Sequence, residues 1–341
     1  MSKCLLPLMA ALALTLSLSA CGAGEQSRTR TVYTMDTVMN LTAYGKNADA
    51  ALDAAEERLL ALDRQLDRHN EESTVSALNR DGTVNDAALA ALVETALKIG
   101  KAADGAFDPT VAPLMDAWNF TGDAPRVPPD EELSELLTHV GLENVSVEGG
   151  IVTLKNSAQI DLGGIAKGYA GGVVRDILAE HGVTSAVIDL GGDVGLLGTK
   201  PDGSEWRVAV KDPADPAQFL GVLSAADTFV VTSGIYERGF EKNGVRYHHI
   251  LDPHTGSPAE SGLVSVTVVC TDGAWADALS TACFVLGEEK SLALRDALAA
   301  KKACSIELIF VTDDGHVRYT NGLADRFTPS EEGVYTYEVI A

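Results

Sequence analysis

The chain is short of positive charge and of cysteine, and it has no long hydrophobic run. Each shortage removes a class of protein. Lys and Arg number 26 against 49 Asp and Glu, a formal net charge of −23. Such a surface repels nucleic-acid phosphates and anionic lipid headgroups, so no nucleic-acid partner is expected. An anionic ligand would have to be met by a metal ion, oriented backbone N–H groups or a local Lys. The five cysteines are Cys4, Cys21, Cys270, Cys283 and Cys304. None form a C-x-x-C pair, and an odd number remains once Cys4 and Cys21 are set aside. Neither a disulfide framework nor a zinc site is indicated. Cys270 ends an apolar strand pattern and Cys283 sits in an apolar helical one, so these two and Cys304 read as buried hydrophobes. No G-x-x-x-x-G-K-[ST] or G-x-G-x-x-G motif is present, which removes the P-loop and the Rossmann fingerprint.

What is present begins with a short apolar run. Lys3 precedes the uncharged stretch from Leu5 to Ser19. That is shorter than the ~20 apolar residues of a spanning helix, and it fits a secretory signal peptide. It ends in Leu18-Ser19-Ala20-Cys21, a pattern that resembles a bacterial lipobox. The expectation is a signal peptide over 1–20, a lipidated tether over 21–30 carrying its acyl chains on Cys21, and one large domain over 31–341. The mature protein would then sit on the extracytoplasmic face of the membrane, held by its lipid anchor. An apolar fraction of 46% suffices for a core.

Periodicity predicts a mixed α+β domain with mostly antiparallel sheets. Thr31–Thr34 and Met39–Tyr44 read as paired strands. Ala48–Leu66 reads as a helix with Leu52, Ala55, Leu59, Leu62 and Leu66 on one stripe. Further helices are expected over Asp86–Ala103, Ile165–Glu180, Trp275–Leu286 and Lys290–Ala300. Alternation predicts strands at Ser185–Leu190, Trp206–Val210, Phe219–Leu223, Phe229–Thr232, Leu263–Cys270 and Ile306–Val311. The pattern is rich in hairpins and is not a regular βαβ run.

Five segments could carry chemistry. Asp161-Leu-Gly-Gly-Ile-Ala-Lys167-Gly168 opens a helix, and its paired glycines allow close backbone approach to a phosphate. A tight structural turn explains the same residues. Gly191-Gly192-Asp193 follows a strand and reads more simply as a turn. Arg246-Tyr247-His248-His249 runs on to Asp252-Pro-His254-Thr-Gly256. If this is a strand, His248 and His249 face opposite sides, so only one serves a given site as base or ligand. Asp277 and Thr281 are four apart on a helix, which puts a carboxylate and a hydroxyl on one face. That pair suits a hard cation such as Mg²⁺, although a helix-end charge with a back-bonded Thr is the simpler account. Gly105-Ala106-Phe107-Asp108-Pro109-Thr110 sets an aromatic beside an acid, which suits a planar ring or a plain core turn.

Taken in order, these segments resemble the ApbE family, the FAD:protein FMN transferases. The resemblance runs from Tyr33 to Gly287. It includes Met35-Asp36-Thr37, Ser73–Asn79, Gly105–Leu114, Ile160–Ala170, Leu190–Asp193, Ala226–Gly234, Tyr247–Gly256 and Ala276–Thr281. It implies an ApbE-like fold and transfer of FMN from the substrate FAD to a Thr or Ser hydroxyl of an extracytoplasmic flavoprotein, releasing AMP. It implies FAD contacts at Met35, Ala106, Phe107, Asp108, Asp161, Lys167 and Leu251, with His69 standing where some members carry a stacking Tyr. It implies Mg²⁺ on Asp277, Thr281 and a carbonyl near Gly164, with His249 near the scissile phosphate as catalytic base. The acceptor would carry an Asp-x-x-(Ser/Thr)-Gly-(Ala/Ser)-Thr-like segment. Two other readings use the same residues: an FAD pyrophosphatase giving free FMN and AMP, and a flavin-binding lipoprotein without catalysis.

Overall fold

The computed structural model describes residues 26–215, 217–301 and 305–341. The expectations placed on residues 1–20, on Cys21 and on Cys304 lie outside the described residues. A tight hairpin comes first. Strands β1 (Ser27–Thr34) and β2 (Thr37–Tyr44) pair from Ser27↔Tyr44 to Thr34↔Thr37. The two residues between them, Met35 and Asp36, have φ of 50° and 58°. Two left-handed residues give the turn whose twist matches an antiparallel pair. β1 opens at Ser27, so residues 27–30, placed in the tether from sequence, belong to the sheet. Their backbone pairs with Leu41–Tyr44 of β2, and two surface ion pairs tie them to the next helix. Arg28 reaches Asp49 at 2.7 Å and Arg30 reaches Asp53 at 2.6 Å, both acids lying on helix α1 (Ala48–Leu66).

The apolar stripe of α1 is buried from Leu52 to Leu66, as its spacing predicted. Helix α2 (Thr74–Asp81) is capped by Ser73, whose Oγ accepts from Ser76 N–H at 2.9 Å. Strand β3 (Thr83–Asn85) leads to α3 (Ala87–Ala102), capped by Asp86. Then come α4 (Ala112–Trp118), α5 (Asp130–Leu136), β4 (Val145–Glu148) and β5 (Ile151–Leu154). Strands β3, β5 and β4 form a small sheet in that order.

Helix α6 (Ala166–Glu180) begins the second half. It is followed by β6 (Ala186–Asp189), β7 (Val194–Leu197), β8 (Trp206–Lys211), β9 (Phe219–Ala225) and β10 (Phe229–Gly234). A hairpin of β11 (Gly239–Lys242) and β12 (Val245–His248) precedes β13 (Leu263–Cys270). Helix α7 (Gly273–Ala300) is broken at Gly287, where φ is 76°. This break divides it into the two segments expected from sequence. Strands β14 (Ile306–Thr312), β15 (His316–Thr320), β16 (Phe327–Pro329) and β17 (Thr336–Ile340) close the chain.

The main sheet has nine strands in the order β1-β2-β6-β7-β10-β13-β14-β15-β17. Its last pair, β15 with β17, is parallel, while the other pairs are antiparallel. The fold is therefore α+β, as expected. One sheet face packs on the helices through Met39, Leu41, Leu59, Ile188, Val266, Leu279 and Phe284. The other face packs on the sheet β16-β9-β8 through Leu196, Val230 and Ile309 against Trp206, Val208 and Leu223. Cys270 and Cys283 are buried. Among the described residues, no helix is long and apolar enough to cross a membrane.

One helix contact positions the chemistry. A Cβ added at Gly168 of α6 would lie 2.0 Å from the Gly273 carbonyl of α7, and one added at Gly273 would lie 2.2 Å from the Gly168 carbonyl. Only glycine lets the two helix starts come so close. That approach puts Gly168 N–H 2.8 Å from Asp277 Oδ2.

Candidate active site

A cleft of about 470 Å³ opens where the glycine turn, α7, the β1–β2 hairpin tip and the segment after β12 converge. All the residues to which the resemblance gives a role between Met35 and Thr281 line it: Met35, His69, Ala106, Phe107, Asp108, Asp161, Gly164, Lys167, His249, Leu251, Asp277 and Thr281. They come from stretches separated by up to about seven-tenths of the chain.

The acid and hydroxyl of α7 face the glycine turn. A Cβ at Gly164 would sit 3.4 Å from Thr281 Oγ1 and 3.2 Å from the Phe107 ring, so the Gly164 backbone rests against both. Thr281 Oγ1 is also 3.5 Å from Ser233 Oγ, which in turn bonds Ser280 Oγ at 2.7 Å. Asp277 is buried, and its pKa is pushed up to about 7, first by burial and then by the Asp193 charge. Gly168 N–H occupies Oδ2, leaving Oδ1 as a ligand atom. A buried carboxylate, a hydroxyl and a backbone form an oxygen-only donor set, which fits a hard cation such as Mg²⁺. Among the described residues, no three His, Cys, Asp or Glu side chains gather as a metal cluster.

Lys167 supplies a fixed positive charge beside the α7 acid. Its Nζ lies 2.7 Å from Asp193 Oδ2. Burial pulls the ammonium's pKa down, but Asp193 and then Asp277 outweigh it and hold the group above its ordinary range. Asp193 is buried at the end of the Gly191-Gly192 turn, which sequence alone favoured as structural. The sequence placed it in one of the five candidate segments but favoured a plain turn, because an acid after paired glycines is its only signal; the contact with Lys167 brings it to the cleft.

His249 follows β12. Its neighbour His248 turns inward, bonding the Ala259 carbonyl at 3.2 Å and meeting Phe284 edge-on. His249 lines the cleft instead, with Nδ1 3.2 Å from the Arg238 carbonyl. A carbonyl can only accept, so Nδ1 carries the hydrogen and Nε2 keeps the lone pair. Burial lowers the imidazole pKa to about 4.

The remaining wall is shaped for a larger ligand. Ala106, Phe107 and Asp108 are buried. Asp108 Oδ1 accepts from Thr110 N–H at 2.8 Å and from its hydroxyl at 2.6 Å, while burial raises the carboxyl's pKa. Asp161 has both oxygens engaged, Oδ1 by Gly163 N–H at 2.7 Å and Oδ2 by Arg68 Nε at 2.7 Å. Arg68 also grips Asp116 at 2.8 Å. Neither Arg68 nor the cleft residues Glu237 and Arg238 stood out in the sequence. Leu251 packs with Leu114, Trp118 and Leu133, and Trp118 Nε1 donates to the Gly256 carbonyl at 2.8 Å, which ties the loop down. His69 is exposed at the rim, its N–H bonded to Asp67 Oδ1 at 2.8 Å.

The ApbE family model matches residues 35–305, a span that contains this whole cleft. The chain belongs to the ApbE family. It is 36% identical to an FAD:protein FMN transferase of Treponema pallidum, over 90% of this chain and 91% of that one. A Vibrio cholerae protein of the same name is 33% identical over 75% of this chain and 78% of its own. Among solved structures, the ApbE protein of Thermotoga maritima superposes with a TM-score of 0.78 at 33% identity, covering 90% and 97% of the two chains. The apo flavinyl transferase ApbE of Pseudomonas stutzeri gives 0.74 at 31%, covering 90% and 95%. This ApbE chain is an enzyme of the transferase class.

Proposed function

We propose that this ApbE chain transfers FMN from FAD to a Thr or Ser hydroxyl of an acceptor flavoprotein, with Mg²⁺ as the working metal. The reading is carried by one observation: Asp277, Thr281, the Gly164 backbone, Lys167 and His249 line a single cleft. In a chain of formal charge −23, that is where a dinucleotide's diphosphate finds counter-charge. Asp277, Thr281 and the Gly164 backbone would hold the cation, which when bound neutralises charge on the diphosphate.

The chain's own groups do the rest. Lys167, pinned by Asp193, offers an ammonium to the phosphate oxygens. The buried wall of Ala106, Phe107 and Asp108 takes a planar ring and its N–H groups. Met35, at the tip of the first hairpin, and Leu251 contact the flavin side, and His69 flanks it at the rim. Asp161, steadied by Arg68 and Gly163 N–H, fixes the glycine turn and keeps a lone pair on each oxygen for FAD. The acceptor hydroxyl attacks the phosphorus of the FMN half, the bond from that phosphorus to the bridging oxygen breaks, and AMP leaves with that oxygen. His249 Nε2 takes the hydroxyl proton.

The test is an incubation with FAD, Mg²⁺ and a carrier protein bearing an Asp-x-x-Thr-Gly-Ala-Thr segment, with products resolved by mass. Covalent FMN on the carrier with AMP released supports transfer. Free FMN and AMP alone would mean a pyrophosphatase, and unaltered FAD a binder. The lipobox supports placing the enzyme on the extracytoplasmic membrane face through Cys21. Cys21→Ser should then move it from the membrane to the soluble fraction.

A further inference from the structure

A second cavity, of about 710 Å³, adjoins the reaction cleft and shares Met35, Asp36, Lys167, Thr232, Glu237 and Arg238 with it. From that junction it runs between the main sheet and β8. Its floor is the sheet face carrying the half-buried Val187 and Val194, with Leu196 and Val230 buried at its inner limit, and every residue of β8 lines its side. The sheet containing β8 has the order β16-β9-β8, so β8 pairs with β9 on one side and ends the sheet on the other. A strand with an unpaired edge along a groove offers a row of backbone donors and acceptors to an extended chain.

The geometry points to this groove as the docking site of the acceptor polypeptide, which binds as an added strand along β8. The inference rests on the transfer reading, which requires a second, protein substrate whose hydroxyl must reach the diphosphate. Continuity is the first argument. A strand lying on β8 leads into the cleft at Lys167 and Arg238, so a Ser or Thr at its inner end arrives beside the reacting phosphorus. Length is the second. The six residues of β8 extend over ~20 Å, enough for a short recognition segment. Charge is the third. In a chain where acids outnumber bases nearly two to one, this groove has four bases, Lys167, Arg207, Lys211 and Arg238, against three acids, Asp36, Asp189 and Glu237. Arg207 and Lys211 are exposed on β8 itself. The occupant is thus an extended segment with small or apolar side chains over the floor and a carboxylate near the β8 bases.

The probe is a short synthetic peptide containing Asp-x-x-Thr-Gly-Ala-Thr, used with the full enzyme, FAD and Mg²⁺. Two variants are compared with the unaltered protein. Val187→Trp fills the half-buried floor, and Arg207→Glu combined with Lys211→Glu reverses exposed charges. Each should raise the peptide KM by roughly tenfold or more while leaving the FAD Kd and the thermal midpoint unchanged. Hydrogen exchange should show amides of 206–211 gaining protection when peptide is added to the FAD-bound enzyme. An unchanged KM in both variants, or no added protection on β8, overturns the groove while the transfer reading stands. A weakened FAD affinity in Val187→Trp would mean the groove holds nucleotide and overturns it too. If the unaltered enzyme never labels the peptide or a carrier, both readings fall.

Discussion

At the scale of single residues, the cleft assigns separable roles. His249 is fixed through Nδ1 by the Arg238 carbonyl, so His249→Gln should leave FAD binding intact and slow transfer by about 10²–10⁴-fold. Burial lowers the imidazole pKa to about 4, so the base is neutral and competent from about pH 5 upward. Protonation removes the lone pair, hence the limb belonging to His249 should lie near pH 4, below any limb from Asp277, whose pKa is pushed up to about 7. A pH–rate profile of the unaltered enzyme checks this, and His249→Gln should lose that acid limb. Asp277→Asn keeps a partner for Gly168 N–H but removes the negative ligand atom. Its transfer rate should fall at least a hundredfold, and its FAD affinity should cease to respond to Mg²⁺, which titration calorimetry reads directly. Asp193 shows why some of the site was hidden in the sequence. An acid after two glycines reads as a turn, and only the 2.7 Å contact with Lys167, from a different element, reveals its role. Arg68 is hidden for the same reason, since its partner Asp161 lies 93 positions away.

Among secondary-structure elements, the crossing of α6 and α7 decides whether the site exists. A methyl at Gly168 would press to 2.0 Å on the Gly273 carbonyl, and backbone cannot yield there. Gly168→Ala should therefore cost about 3 kcal/mol, seen as a lower unfolding midpoint in denaturant, and should weaken metal binding by displacing Asp277. Gly172, also on α6, has open space where its Cβ would be. Gly172→Ala should be neutral or stabilising by about 0.5–1 kcal/mol in the same assay, because alanine costs less backbone entropy in a helix. Legibility divides along similar lines. The long helix α1 was readable because its apolar stripe repeats over 19 residues. The strands β7, β11 and β3 escaped because three or four residues give too few alternations to register. The first strand was cut short at residue 31 because Arg28 and Arg30 look like tether until Asp49 and Asp53 are placed opposite them.

For the molecule as a whole, the governing fact is a formal charge of −23 around a site meant for an anion. Lys167 does not offset this alone, since Asp193, Asp277 and Glu237 crowd it and Glu237 itself is pushed up by burial. FAD and Mg²⁺ should consequently depend on each other. Ligand binding raises stability by RT ln(1 + [L]/Kd), about 2.7 kcal/mol at a hundredfold excess over Kd. FAD alone meets these three carboxylates and should raise the thermal midpoint little. Mg²⁺ alone gains one buried carboxylate and should also act weakly. Together, each removes the repulsion the other faces, so their combined shift should exceed the sum of the separate ones. Linkage makes the coupling reciprocal: the factor by which Mg²⁺ tightens FAD must equal the factor by which FAD tightens Mg²⁺. Thermal melts with FAD, with Mg²⁺, with both, and with both plus EDTA measure this directly. Additive shifts would mean that the cation binds away from the diphosphate, and the counter-charge argument for the cleft would fail with it.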